Sequence, residues 1–531
     1  MKIYKNMKNK YKILKVFYFI FYKMSLQDLY SQAIKFVNDE KYDQAIELYK
    51  KILSYINDSF QDKINLLYQL GNLYEKKNMF KNAIAECYIN IIKIDPKNYV
   101  ILNQIGVCYN NMSQYKLAIN YFKKVINIQE IPDVYHNIGL CYRSIHDYES
   151  SKKEFLNALK MDKNNNIYKS SLGDTYYILK EYDNSIKTYQ SITDYKTNHK
   201  EMYSSSFSYL AKKNFEKGFE LYENRLKYNN INPQTKLFDR LEIPSINYWN
   251  TCDSCDKLLI ISEQGIGDNI QYYRFIIELS ELYPNMLIHF FCKKEISHIF
   301  KKYNNIEVVD NLFIELMHLY GYNYKIYIMS LPYILKKTSI LPNSYNYINI
   351  HETKLTYWNE QFQQFKRYKV GFVYNGLLSS FIEKYIPLKY FETLCDLNID
   401  LICIHKKEGI QKDIDSTNIN LKDKIHFFDI DIDKPFEDTI HILKNIDLLI
   451  TIDTFIVHLA GVLGVKTWLL LGNYSEWRWS NEDNTYWYSS VELIRNNKNG
   501  DFYNILQEVK NKLNYLLLNC ENNNNSEIEN I

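Results

Sequence analysis

The sequence predicts two architectures in one chain: a helical repeat solenoid in the first half, then a two-lobed, doubly wound α/β region. Three observations predict this. Gly71, Gly106, Gly139 and Gly173 recur 35, 33 and 34 residues apart, the period of a helix-pair repeat. After residue 256, short apolar runs alternate with helical stretches, the pattern of parallel sheets. At the head of that series, Ser262–Asn269 joins the apolar run Lys257–Ile261 to the helical stretch Ile270–Leu279, so strand, glycine turn and helix follow in order.

Length and composition set the bounds. At 531 residues the chain exceeds one domain. Its net charge of +3 gives no electrostatic ground for a nucleic-acid partner. Nine cysteines, an odd number, suggest no disulfide framework and a reducing, cytoplasmic setting. Cys252 and Cys255 form a lone C-x-x-C, read as a linker turn because no second pair completes a zinc site. Met1–Lys23 is basic, and its apolar core Ile13–Tyr22 is interrupted by Lys15. That run is too short for a stable membrane span. Residues 1–24 therefore read as a disordered leader or an over-extended start, with Met24 opening the first helix.

The repeats occupy residues 25–228. Each glycine is followed three residues later by Tyr74, Tyr109, Tyr142 or Tyr176, and nine residues later by Phe80, Tyr115, Tyr148 or Tyr182. Three further on stand Ala83, Ala118, Ser151 and Ser185, and four beyond those in the later copies stand Phe122, Phe155 and Tyr189. Small residues at close-packing points and aromatics at knob positions, on two helices per unit, resemble the tetratricopeptide repeat. Degenerate copies at each end bring the count to about six. Such arrays stack into a superhelix whose concave face holds a protein or peptide. Residues 229–256 break the period and read as a linker.

Residues 257–350 then read as one Rossmann-like lobe and 351–518 as a second. Strands are expected at Lys257–Ile261, Leu287–Cys292, Ile306–Val309, Lys325–Met329, Tyr368–Tyr374, Leu401–His405, Ile425–Phe428, Leu448–Ile452 and Thr467–Leu471. Helices are expected at Glu295–Lys302 and His351–Lys366, the latter crossing between lobes. Ligands of such sheets bind beyond the strands' carboxyl ends, which selects three loops. Gly265 and Gly267 permit a tight turn and a close backbone approach, with Asp268 at the following helix mouth either as a cap or as a working acid. Asp453 and Thr454 precede the helix Phe455–Leu463, which carries His458 and Gly461; they suit a phosphate or a ribose hydroxyl, or cap the helix. Tyr374 and Gly376 close the second lobe's first strand, and Lys384 follows either as a point charge for a diphosphate or as a solvated surface lysine. The alternating acids Asp429–Asp433 read as a solvated loop and not a metal motif. Trp477, Arg478 and Trp479 read as a fastener for the C-terminal segment, and Asn519–Ile531 as a disordered tail.

Taken together, these residues resemble the family 9 glycosyltransferases, whose best-known members are the lipopolysaccharide heptosyltransferases, in their form joined to tetratricopeptide repeats. The resemblance runs from Gly218 to about Leu513. It is carried by Gly218–Arg225, Glu263–Arg274, Ser330–Pro332 with Thr338, Asp453–Gly461, Trp468–Leu471 and Trp477–Asp483. It implies a GT-B fold and a nucleotide-diphosphate sugar donor held by the second lobe. It implies an inverting, metal-independent transfer to a protein or glycan acceptor, with no cofactor. By it, Asp268 is the catalytic base and Lys384, Asp453, Thr454, His458 and Gly461 bind the donor, while Gln264, Asn269, Tyr374, Gly376, Trp477 and Arg478 line the cleft. The chain departs from the family after Gly376, where the histidine and Asn-Asp of its relatives are missing, the segment is shorter and Lys384 replaces an arginine. That departure keeps open a second reading, a non-catalytic interaction scaffold with a degenerate GT-B domain.

Overall fold

The computed structural model describes residues 26–56, 60–228, 246–251, 254–310, 321–322, 324–376, 385–405, 407–417, 421, 424–432, 434–472, 475–479, 482–495 and 502–528. The chain forms two compact units, Met1–Thr193 and Asp194–Ile531. The sixth helix pair therefore belongs to the second unit.

The first unit is built from antiparallel helix pairs, among them Tyr99–Asn111 with Tyr115–Ile126 and Pro132–Ser144 with Tyr148–Met161. The repeating glycines are where the partner helix seats an aromatic ring. A Cβ at Gly106 would lie 2.5 Å from Phe122, at Gly139 2.5 Å from Phe155, and at Gly173 2.9 Å from Tyr189. These rings stand 16 residues after their glycines; at Gly71 the ring is Tyr88, 17 residues on. The extra residue is absorbed by a π-helical turn, Ala83–Tyr88, inside the second helix. Where later copies carry serine for alanine, the hydroxyl is used: Ser151 and Ser185 each donate to the carbonyl of their glycine, Gly139 or Gly173, at 2.8 Å.

Each helix pair turns through a left-handed residue that is not glycine: Glu40, Asn78, Ser113, His146 and Lys180 in the first unit and Lys213 in the second. Left-handed backbone costs a non-glycine residue about 1–2 kcal/mol. Ser113→Gly is therefore expected to stabilise the first unit by about 0.5–1 kcal/mol, after glycine's extra chain entropy is subtracted. Urea unfolding of the two proteins checks this, and a lower midpoint for the glycine variant would refute it.

The second unit opens with the pair His199–Ala211 and Phe215–Tyr222. Among the described residues eleven strands follow: β1 Asn247–Tyr248, β2 Lys257–Ile261, β3 Leu287–Phe291, β4 Ile306–Val309, β5 Tyr324–Tyr327, β6 Tyr368–Phe372, β7 Ile399–Cys403, β8 Ile425–Phe427, β9 Leu448–Ile452, β10 Thr467–Leu471 and β11 Val491–Arg495. They make a five-stranded sheet, β1-β5-β2-β3-β4, and a six-stranded one, β11-β10-β9-β6-β7-β8. Every strand pairing is parallel. β9 and β10 are buried throughout, as expected of strands covered on both faces. The fold is thus a helical solenoid followed by a two-lobed doubly wound α/β region. Among the described residues, no helix is long and apolar enough to cross a membrane.

The structure departs from the expectations at several elements. β1 lies within the expected linker and pairs with β5, and β11 extends the second sheet beyond the last expected strand. The helix expected at Glu295–Lys302 stops at Ser297, because the chain leaves it for a bridge between Phe300 and Ile348. The interlobe helix is Glu352–Phe362. Asp431 is buried, not solvated. Its carboxylate accepts the Asp438 and Thr439 amides and the Thr439 hydroxyl, so it caps the helix Glu437–Asn445. Of the Asn/Glu-rich tail, Asn519–Ile528 is the end of one helix, Phe502–Ile528, and 529–531 lie outside the described residues. Buried Ile505, Leu506, Val509 and Leu513 anchor that helix, and extending a formed helix is far easier than starting one.

Candidate active site

Segments beyond the carboxyl ends of parallel strands from both sheets line one cleft of about 920 Å³. From the first lobe it is lined by Gln264–Asp268 after β2 and by Lys293 after β3. From the second it is lined by Asn375, Gly376, His405, Asp453–Ile456 and His458, and the C-terminal segment adds Glu476 and Arg478.

The glycine turn is clamped from the terminal repeat. Arg225 is buried and donates from Nε and Nη2 to the two oxygens of Glu263, at 3.1 and 2.5 Å. Its Nη2 also reaches Ser330 at 2.8 Å, and Met329 N–H donates to Glu263 at 3.1 Å. Burial alone lowers the pKa of the Arg225 guanidinium, but Glu263 and Glu223 hold it well above its ordinary value. One residue on, Gln264 takes a left-handed backbone, φ 61°, and its amide donates to the Tyr222 hydroxyl at 2.6 Å. Asn269 ties the turn internally through the carbonyls of Glu263 and Gly265.

Asp268 is both a cap and a cleft residue. Its Oδ2 accepts the Gly265 N–H at 2.9 Å, the reciprocal half of a capping box. Its Oδ1 accepts from Nη2 of Arg478 at 2.5 Å. Arg478 also pairs with Glu476 through Nη1. Burial alone depresses this guanidinium's pKa, but Asp268 and Glu476 outweigh it and keep Arg478 cationic.

The lobes meet where Gly267 faces the helix Phe455–Leu463. A Cβ there would sit 2.8 Å from the His458 ring and 3.2 Å from Phe455 Cα. The glycine thus allows two helix N-termini, both with free N–H groups and positive dipole ends, to approach closely. His458 stacks on Trp479, with ring centres 5.3 Å apart, and shares a 3.2 Å hydrogen bond with the Tyr488 hydroxyl. Thr454 holds the N-cap position, yet its side chain makes no cap bond and its Oγ1 is buried without a partner among the described residues. Asp453 is buried at the same wall.

Other expected residues sit elsewhere. Gly461 lies under the ring of Tyr488 rather than on the cleft. Tyr374 is buried and donates to Asp413 at 3.0 Å. Trp477 is buried against Phe219 and Trp487. Lys384 lies outside the described residues.

Lys293 and His405 were not among the expected residues. Each stands two positions past a strand's carboxyl end, so the rule that selected Asp268 also finds them. His405 Nε2 accepts the amides of Tyr374 and Asn375, at 3.3 and 3.4 Å, which puts its ring proton on Nδ1. Burial pushes its pKa down to about 4. The unfolded chain, with an ordinary histidine, binds a proton as pH falls through about 6.5, and the folded chain does not. Stability contributed by neutral His405 is therefore present at pH 7 and falls toward pH 5, by about 1–2 kcal/mol. Urea unfolding at the two pH values, with His405→Gln as control, tests this; an equal pH dependence in the control would exclude His405 as the source.

Comparison with known proteins adds the following. The tetratricopeptide repeat family matches residues 64–98, 99–131 and 132–165. The TPR repeat-containing protein MJ1428 of Methanocaldococcus jannaschii is 27% identical over 268 residues, covering 50% of this chain and 43% of its own length. The chain thus aligns with less than half of that curated relative. Among solved structures, the MamA protein shares 22% identity at a TM-score of 0.29, over 32% of this chain and 97% of its own. The ADP-heptose lps heptosyltransferase II of E. coli shares 14% identity at a TM-score of 0.40, over 50% of this chain and 99% of its own. The helix pairs within residues 64–165 thus match the tetratricopeptide repeat model.

Proposed function

We propose that the second unit is a glycosyltransferase that moves a sugar from a nucleotide-diphosphate donor to a protein or glycan acceptor, and that the repeats hold that acceptor or a partner protein. The observation that carries this reading is the shared cleft. Asp268 stands on its first-lobe wall, and Asp453, Thr454 and a helix N-terminus stand on its second-lobe wall. Its volume of about 920 Å³ suits a nucleotide sugar.

In this reading the acceptor hydroxyl gives its proton to the Asp268 carboxylate as its oxygen attacks the anomeric carbon. The bond from that carbon to the phosphate oxygen breaks, and the diphosphate leaves with the electron pair. Attack opposite the leaving group inverts the centre. The N-terminal amides of Phe455–Leu463, with Lys293 and Lys384 as the cations, stabilise the departing charge. Asp453 and His458 shape the donor side, and no metal is required by the step.

One observation favours the alternative, a non-catalytic scaffold: both Asp268 oxygens are already engaged, by Gly265 and Arg478. Thermal shift of the full chain with ADP-, GDP- and UDP-sugars separates the two. One nucleotide present at about 100 times its Kd should stabilise the protein by about 2.7 kcal/mol, and Asp453→Ala should abolish the shift. A folded protein that responds to none of the donors would leave the scaffold reading.

A further inference from the structure

We infer that Arg478 is a diphosphate-binding residue and that it exchanges Asp268 for the donor's phosphate, so that donor binding releases the base. This deepens the proposed glycosyltransferase reading and rests on it.

Three features of the guanidinium carry the inference. It is buried, with its side chain 10% exposed, yet it lines the cleft. Its Nη1 and Nη2 are taken by Glu476 and Asp268, while its Nε has no hydrogen-bond partner among the described residues. A buried, unpartnered N–H on a cation is costly unless a ligand atom completes it. The cleft wall beside it offers a second such atom, the buried and unpartnered Oγ1 of Thr454.

The chain places these groups together. Gly267, which precedes Asp268, and Trp479, which follows Arg478, both touch His458 in the first two turns of the helix Phe455–Leu463. The Asp268–Arg478 pair is therefore held beside that helix's N-terminus, where an anion is favoured. A phosphate seated there accepts from helix amides, from Thr454 and from the Arg478 fork, whose planar geometry suits two phosphate oxygens.

The exchange has a chemical consequence. Without a donor, Oδ1 of Asp268 is taken by Arg478 and Oδ2 by the Gly265 amide, so neither oxygen is open to an acceptor hydroxyl. When the diphosphate draws Arg478 away, Asp268 keeps its Gly265 bond and regains a free lone pair toward the cleft. The base then becomes competent only when a donor is present. Glu476 holds the guanidinium from its far side and keeps the arginine poised between its two anions.

The test is calorimetric titration of the full chain with ADP, GDP and UDP and with the matching nucleosides. Wild type is expected to bind one diphosphate. Arg478→Gln should weaken that binding about 10- to 100-fold, the loss of one charge-assisted contact, and leave the nucleoside's affinity unchanged. Asp268→Asn removes the competitor and should tighten diphosphate binding several-fold, an effect that a merely structural arginine does not produce. It also keeps the inference testable if Arg478→Gln fails to fold. Diphosphate affinity unchanged by Asp268→Asn, or equal in Arg478→Gln and wild type, would overturn the role of Arg478 alone. Absence of diphosphate binding by the wild type would overturn the donor reading with it.

Discussion

Arg225→Ala is expected to destabilise the second unit by about 3–5 kcal/mol, the cost of leaving a buried charge without its partner. Glu263 is 6% exposed, and once the guanidinium is gone its carboxylate keeps the Met329 amide as its donor among the described residues. The effect should extend beyond stability. Glu263 begins the loop that carries Gly265 and Asp268, so its loss of anchorage frees the wall that faces the second lobe. A paired replacement, Arg225→Met with Glu263→Met, removes both charges and should recover most of the lost stability. Denaturant unfolding of wild type, both single variants and the pair provides the double-mutant cycle. Additive losses in that cycle would show that the two side chains stabilise the fold independently.

Gly461→Ala is the second large effect. The added Cβ would fall 2.4 Å from Cγ of Tyr488, inside a ring that is 2% exposed and held at its hydroxyl by His458. Neither the ring nor the helix has space to yield, so the variant should lose about 1–3 kcal/mol by overpacking. Equilibrium unfolding measures this directly. Since Gly461 faces Tyr488 and not the cleft, nucleotide affinity in the folded variant should change little. A stable Gly461→Ala protein with lost nucleotide binding would return this glycine to the donor site.

Much of the fold is written locally. The 34-residue period, the glycines and the aromatics announce paired helices because each repeat must bury the same ring against the same small residue. The strand cores β2, β4, β9 and β10 match their expected ranges because buried parallel strands need unbroken apolar runs. Short edge strands carry no such signature: β1 is two residues, both exposed. Asp431 departs from its expected exposure for a related reason. An alternating acid run looks solvated in sequence, and only the arrival of the helix Glu437–Asn445 shows that one carboxylate is a buried cap.

The candidate site divides the same way. The glycine turn and Asp453–Thr454 are legible because they stand at strand ends, where backbone N–H groups and strand termination coincide. Partnerships are not legible. Arg478 lies 210 residues from Asp268, and Arg225 lies 38 from Glu263. Nothing in either local sequence says which charge each will meet.

The sequence by itself determined the order of the architectures, the repeat period, the parallel strands and the loops at their carboxyl ends, because these follow from periodicity and backbone chemistry over short stretches. Tertiary structure alone decided that the terminal repeat clamps the glycine turn, that Gly267 is a point of close approach between lobes, and that the acid at the cleft faces a buried arginine. Those outcomes depend on groups far apart in the chain being desolvated together. Burial makes a charge choose a partner, and only the folded chain brings the candidates within reach.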